Sequence, residues 1–480
     1  MFCRFCRQNC PQIVLPTTLY EGSYNRTFFP YSSHLYPIHC TKKSGVQPHD
    51  KSLLMLSSLS FRLSRGVSTT IYPPITHAQS WGMVYRPTIT RPFIDMSQGV
   101  PGTPPSKVLL EALSHSSSSP GSSGYGDVVG ESTLRSAFAE EMKTVYGREM
   151  DVTQDDIAIT AGCNLAFVAT VMCLADPGDE IILPVPWYFN HQMTLNLLSI
   201  KTVPLYTRVD EGFLPSTSDC EKLINSRTKA IALVTPSNPT GAIYSSDLIS
   251  KFAKLAQKHK IALVLDETYR DFVDTLPPHT LFAPVQTELL KPSSSWRSNI
   301  IHLFSFSKSY CFPGHRLGLI AASPDFLKHV TTTLDCLQIC APRPPQLALT
   351  SPGLLPILRQ SIQANAQSLK IRHNIFRTHL PPNWTIGSQG GYFAFVKHPF
   401  VGIPAITLCQ RLAEELGVLA LPMQFFCDDS IGPDLESLGQ SKMDWERWIR
   451  FSVANVSDDL VKQVCERLHE CERHLGLKAE

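Results

Sequence analysis

The 480-residue chain contains no continuous apolar run of the length that a bilayer-spanning helix needs, so no membrane partner is expected. It also lacks an excess of either charge: 43 Lys and Arg against 41 Asp and Glu leave a formal net charge of +2. Such balance offers no electrostatic footprint for nucleic acid or for an anionic lipid surface. No secretory apolar segment accompanies the fourteen scattered cysteines, and reduced thiols in an intracellular protein are expected. Cys3, Cys6 and Cys10 are spaced loosely like metal ligands, but no Cys/His pair follows at finger spacing, so no metal site is expected. Internal repeats are missing as well, which removes solenoids and propellers. What remains is a globular composition, 43% hydrophobic and 18% charged, long enough for a large α/β domain and a smaller companion.

Acids are scarce in one place. The first eighty residues hold eight Lys and Arg but only Glu21 and Asp50. Within them Met55 to Thr70 reads MLSSLSFRLSRGVSTT, Ser-rich and acid-free, and Leu56, Leu59 and Leu63 would share one helical face. That is the composition of a mitochondrial transit segment, here starting internally at Met55. The alternative is an extension without an address, so the expected location is mitochondrial or cytoplasmic.

From about Asp95 the pattern turns globular. Short runs rich in Ile, Val and Leu recur at Ile157–Thr160, Glu180–Leu183, Lys201–Leu205, Ala230–Thr235, Ile261–Leu265, Ile300–Phe304 and Leu317–Ala321. Each is too short for a helix. Helical stretches such as Ser245–His259, with Leu248, Phe252, Leu255 and Ala256 at a period near 3.6, separate several of them. Strand and helix in alternation predict an α/β fold with a mostly parallel, buried, seven-stranded sheet and right-handed crossovers. After Ser351 longer helices dominate, ending in Asp458–Leu475. The expected division is an N-terminal extension over 1–80 (a targeting or disordered segment), an arm and part of a small α+β domain over 81–125, a large domain over 126–355, and the rest of the small domain over 356–480.

Ligands of such sheets bind at the carboxyl ends of the strands, and there the reactive and turn-forming residues cluster. Thr160-Ala-Gly162-Cys163-Asn164 follows one run, Pro236-Ser-Asn238-Pro-Thr-Gly241 another, Asp266-Glu-Thr-Tyr269 a third and Ser305-Phe-Ser307-Lys308 a fourth. A lysine becomes a Schiff-base partner only where burial or nearby cations lower its pKa. Lys308 follows an apolar strand, and Arg316 lies eight residues on, past a Pro-Gly turn. Ser305 and Ser307 could bond a phosphate. The helix opened by Gly162, Cys163 and Asn164 would offer free N–H groups and its dipole to a dianion, with Leu165, Val168 and Met172 expected on its buried face. Late in the chain, Trp448-Ile-Arg450-Phe-Ser-Val reads as a strand with Arg450 facing away from Ile449, Phe451 and Val453.

Ser-x-Ser-Lys-x5-Gly-x-Arg-x-Gly, together with Asn-Pro-Thr-Gly, Asp-x-x-Tyr and the late arginine, resembles the class I/II aminotransferases, the fold type I enzymes of pyridoxal 5′-phosphate. The resemblance spans about Asp95 to Val456. It implies that Lys308 carries the cofactor as an internal Schiff base and that the reaction is transamination between an L-amino acid and a 2-oxo acid, through the pyridoxamine phosphate form. Asp266 stands where the family has the carboxylate of the pyridine nitrogen, and Asn238 and Tyr269 match its partners of the phenolic oxygen. Gly162, Cys163, Asn164, Ser305, Ser307 and Arg316 fall at the phosphate. Tyr188, with Trp187 its neighbour, matches the ring stacked on the cofactor. Arg450 and Gly99 match the site of the substrate carboxylate. Tyr125, in Gly-Tyr-Gly-Asp, is similar to the tyrosine that reaches the phosphate of a partner subunit, which implies a homodimer with shared sites. Family members that act on dicarboxylates often supply a second arginine. Here Gln338 is the nearest placement and Arg343 the other candidate, so a preference for Asp or Glu is doubtful. Elimination or decarboxylation on the same cofactor, and a non-enzymatic cofactor-binding regulator, are the alternatives.

Overall fold

All seven apolar runs become strands, and the strands form one sheet. The computed structural model describes residues 60–283, 295–428 and 441–477. Cys3, Cys6, Cys10 and the beginning of the transit-like segment, Met55 to Leu59, lie outside the described residues. Contacts divide the chain into Met1–Arg62 and Leu63–Glu480, and the second unit carries everything below. Its first helix, Arg65–Thr69, is capped by Ser64 and buries none of its residues. Leu63 precedes this helix, because the Ser64 hydroxyl takes the N-cap position, and the helical face expected for it with Leu56 and Leu59 falls outside the described residues.

In chain order the strands are β1 (Ile94–Asp95), β2 (Ile157–Thr160), β3 (Glu180–Val185), β4 (Lys201–Tyr206), β5 (Thr228–Val234), β6 (Ala262–Asp266), β7 (Ile300–Ser305), β8 (Gly318–Ala321), β9 (Thr385–Gly390), β10 (Phe393–Lys397), β11 (Val418–Leu419), β12 (Leu421–Pro422) and β13 (Trp448–Ser452). The large sheet has the order β2-β8-β7-β6-β5-β3-β4. Neighbours from β7 across to β4 are parallel, and β8 runs against both β7 and β2. Alternate residues feed two cores, one per face. Ile231, Leu233, Leu263 and Leu265 enter the first, and Ala230, Ala232 and Val264 the second. Both faces are covered, which is why the runs are continuous and not alternating.

Helix Ser246–His259 forms where the periodicity places it. Ser245 caps it by accepting from Leu248 N at 3.2 Å, and it buries Ile249, Phe252, Leu255 and Ala256. Helix Asp458–Leu475 has the expected bounds and Ser457 as its cap. The 26-residue helix Leu354–His379 carries the chain from one lobe to the other: Leu355, Leu358 and Ile362 belong to the first core, Leu369 and Phe376 to a third. That third core sits on the antiparallel sheet β12-β13-β10-β9 and includes Ala78 and Trp81 of helix Pro74–Gly82, as well as Ile94 of β1. In β13, Ile449 and Phe451 point into this core, while Trp448 and Arg450 take the opposite face, toward the large sheet.

Candidate active site

The carboxyl ends of β2, β3, β5, β6 and β7 converge on a cavity of about 250 Å³. Lys308 lies on its wall. β7 is buried throughout and ends at Ser305, whose Oγ accepts from Ser307 N at 3.3 Å and starts the one-turn helix Phe306–Ser309. The turn exposes Lys308 to the cavity, where its Nζ donates to the Gly99 carbonyl at 2.6 Å. Tyr392 Oη donates to the Lys308 carbonyl at 3.0 Å and fixes the backbone. Burial lowers the Lys308 pKa from 10.5 to about 8, helped by the positive charges of Arg316 and Arg450. Its amine thus gives up a proton far more readily than that of an ordinary lysine, as a Schiff-base partner requires.

Asp266 ends β6 on the same cavity and is almost fully buried. It does not cap a helix. One oxygen accepts from Thr268 N at 3.0 Å in a side-chain turn, and the other faces His191 Nε2 at 3.2 Å. His191 is buried and stacked on Phe167, with ring centroids 3.8 Å apart, so it holds the carboxylate in one orientation. Sequence reasoning passed over His191. It stands 75 positions before Asp266, in the first turn of helix Phe189–Leu197, and only its place three residues after Tyr188 could have raised it.

The loop after β2 has the features of an anion site. Gly162, at φ 93°, starts helix Cys163–Leu174 with no side-chain cap, which leaves the first backbone N–H groups available. A methyl on Gly162 would collide with the Arg316 guanidinium, so glycine lets the arginine lie against the loop. One on Gly318 would overlap Gly162 C and Cys163 N, which brings the start of β8 beside the same loop. Ser305, Ser307, Cys163, Asn164 and Arg316 all face the cavity, and Gly162 borders it through Arg316. The helix turns a different face inward from the expected one. Ala166, Phe167, Thr170 and Val171 are buried and Met172 is exposed, because a helix apolar nearly all round has no period to betray its face.

Arg450 is 1% exposed and carries no ion pair among the described residues. One terminal nitrogen donates to Asn238 Oδ1 at 2.7 Å and the other to the Ser97 carbonyl, while Nε has no partner. The guanidinium lies over the rings of Phe393 and Phe426, 4.5 and 4.9 Å from their centroids. Burial drops its pKa from 12.5 to about 10. A buried cation held only by neutral groups is a receptor for a carboxylate. Tyr269 is buried beside it, its hydroxyl raised well above the usual range by burial. Gly99 cannot carry a side chain, since a methyl there would strike the Phe393 ring and crowd the Tyr269 hydroxyl. Tyr188 lines the cavity, donating to Asn164 Oδ1 at 3.3 Å and accepting from Asn190 Nδ2 at 2.9 Å, whereas Trp187 is buried in the core.

Three candidates lie elsewhere. Tyr125 is 80% exposed and does not reach this cavity. Gln338 is spent on the loop after β2, accepting from Ala161 N at 2.8 Å and donating to the Ile159 carbonyl at 3.2 Å. Arg343 pairs with Glu131 at 2.6 Å and donates to the carbonyls of Gly121 and Gly124. No cluster of metal-ligating side chains occurs among the described residues.

Comparison with known proteins matches residues 91–468 to the family described as aminotransferase class I and II. Arginine–pyruvate transaminase of Pseudomonas aeruginosa is 26% identical over 317 residues, 65% of this chain and 77% of its own length. An aspartate aminotransferase of Sulfurisphaera tokodaii is 25% identical over 426 residues, 86% of this chain and 96% of its own. Among solved structures, an Escherichia coli protein identified as a methionine aminotransferase superposes with a TM-score of 0.71 at 22% identity, covering 85% of this chain and all of its own. Aspartate aminotransferase of Thermus thermophilus with maleate gives 0.70 at 20%, covering 85% and 98%. At such identities these structures speak for the fold.

Proposed function

The chain belongs to the class I and II aminotransferases, enzymes that move an amino group between an amino acid and a 2-oxo acid, and from that premise we propose that it does so with pyridoxal 5′-phosphate held by Lys308 in the cavity above. The residues present suit that cofactor. Lys308, Arg316 and Arg450 face the cavity against the single carboxylate of Asp266, an excess of positive charge suited to a phosphate dianion and a substrate carboxylate. The uncapped helix start at Cys163, with Ser305, Ser307 and Arg316, would hold the phosphate. Asp266, braced by His191, would meet a protonated ring nitrogen. Asn238 uses its oxygen for Arg450, which turns its Nδ2 into the donor left for a phenolate, beside the Tyr269 hydroxyl.

When bound, the cofactor supplies an electron-withdrawing ring that makes the Cα proton of an attached amino acid acidic. The chain does the rest. Arg450 presents its fork to the α-carboxylate and so fixes which bond at Cα faces Lys308. Lys308, with a pKa of about 8, takes the Cα proton and returns it as general base and then acid. The observation that carries this reading is one cavity bearing a lysine of lowered pKa, a His-braced carboxylate and an arginine without an ion pair. Purified protein mixed with pyridoxal 5′-phosphate is expected to turn yellow and, after borohydride, to yield a labelled peptide containing Lys308. Lys308→Ala should keep the circular dichroism of the fold and lose label and turnover. Colourless wild-type protein, or label only elsewhere, ends this reading.

A homodimer with shared sites belongs to the same proposal: Tyr125, exposed on its own protomer, would serve the phosphate site of a neighbour. Mitochondrial or cytoplasmic residence is likewise proposed, and imaging residues 1–80 fused to a fluorescent protein distinguishes the two.

A further inference from the structure

Resting on the reading above, we propose that the preferred amino donor carries an uncharged, mainly apolar side chain, and that Ile75, Val100 and Phe189 form the wall it meets. Four charged side chains face the cavity, and each has a use: Asp266 and Lys308 for the ring and the amine, Arg316 for the phosphate, Arg450 for the α-carboxylate. No further cation lines it among the described residues. The remaining wall is Ile75, Val100, Phe189 and Val234, with Thr268 and the neutral amides of Gln98 and Asn190.

Ile75, Val100 and Phe189 are rigidly mounted against the lobe that bears Arg450. Ile75 begins helix Pro74–Gly82, anchored in the third core by Ala78 and by Trp81, which stacks on Phe425 with centroids 5.8 Å apart. Val100 follows β1, which pairs in parallel with β11 of that lobe. Phe189 packs against Phe426 at 5.7 Å, and Phe426 also lies under the Arg450 guanidinium. The lobe that bears Arg450 therefore packs against Ile75, Val100 and Phe189, with Phe189 reaching it from the helix that follows β3.

Among the described residues of its own chain, a second carboxylate would find no cation here. Gln338 is committed to the loop after β2, and the charge of Arg343 is neutralised by Glu131 wherever that arginine points. An ionised group against aliphatic and aromatic carbon loses its hydration and gains nothing, whereas each methylene placed there favours binding by about tenfold or more.

The test uses the full chain loaded with pyridoxal 5′-phosphate and follows loss of the cofactor's visible absorbance, donor by donor, in single turnovers. Leucine, methionine and phenylalanine are expected to exceed aspartate and glutamate in kcat/KM by about a hundredfold. Ile75→Arg should shrink that ratio by at least about tenfold, since it places a cation where the second carboxylate would lie. Aspartate or glutamate as the best donor, or a ratio that Ile75→Arg leaves unchanged, would overturn the inference and leave the transamination reading intact. A wild-type chain that reacts with none of the five donors would overturn the inference, and borohydride labelling of Lys308 in the same sample shows whether the reading beneath it stands.

Discussion

At the scale of single residues, Lys308 differs from a surface lysine through what surrounds it. Burial and the charges of Arg316 and Arg450 all disfavour its ammonium form, and the pKa falls from 10.5 to about 8. The sign follows: a folded value below the unfolded one means the unfolded chain holds the proton more tightly, so the contribution of Lys308 to the stability of the cofactor-free chain rises as pH climbs from about 8 to 10.5. Reactivity moves the same way and stops earlier. The rate at which unphosphorylated pyridoxal is trapped on Lys308 by borohydride is expected to rise with pH and level off above about 8. Arg316→Gln should move the midpoint upward, because Arg316 is the larger of the two charge effects, and the unphosphorylated probe makes no demand on the phosphate loop. A profile still climbing toward pH 10.5 would show an ordinary lysine. Lys308, Asp266 and Arg450 could be picked out of the sequence because each falls in or just after an apolar run, within a motif that resembles the family's. His191 could not, since its meaning lies in a partner 75 positions away that only the folded chain brings to 3.2 Å.

At the scale of elements, the glycines of Gly-x-Arg-x-Gly have unequal roles. Gly314 has open space about it, whereas a methyl on Gly318 would overlap the backbone of Gly162 and Cys163. Those atoms belong to the start of helix Cys163–Leu174, whose uncapped N–H groups are proposed to hold the phosphate. Gly318→Ala is therefore expected to push β8 and the helix apart. The cost is about 1–3 kcal/mol, read as a lower denaturation midpoint, with weaker retention of pyridoxal 5′-phosphate on dialysis. Gly314→Ala should change neither. Equal effects at the two positions would contradict the close approach of β8 to this loop. The strands were legible for a related reason: a sheet buried on both faces writes continuous Ile, Val and Leu runs, and all seven runs lie within a residue or two of their observed bounds. The inward face of helix Cys163–Leu174 was illegible because nearly every position is apolar. So was the packing of helix Pro74–Gly82, a stretch whose only large buried anchor is Trp81.

At the scale of the whole molecule, the two lobes share one cavity, and Tyr125 is an expected cofactor residue that its own chain does not bring there. Arg343 holds the loop before it through the carbonyls of Gly121 and Gly124, and Glu131 holds Arg343, so Tyr125 is displayed on an ordered surface. If that tyrosine completes the phosphate site of a neighbouring copy, defects in Tyr125 and Lys308 fall in different active sites of a mixed dimer. In a Tyr125→Ala and Lys308→Ala pair, one site then carries both defects and the other carries neither. Random reassociation of equal amounts makes half the dimers mixed, and half of their sites intact, so activity should recover to about a quarter of wild type. Each variant alone would stay far below that. Recovery requires subunit exchange, confirmed by mixing tagged and untagged chains and isolating the hybrid. A purified hybrid without recovered turnover would place Tyr125 outside the partner's site and leave each protomer to assemble its own.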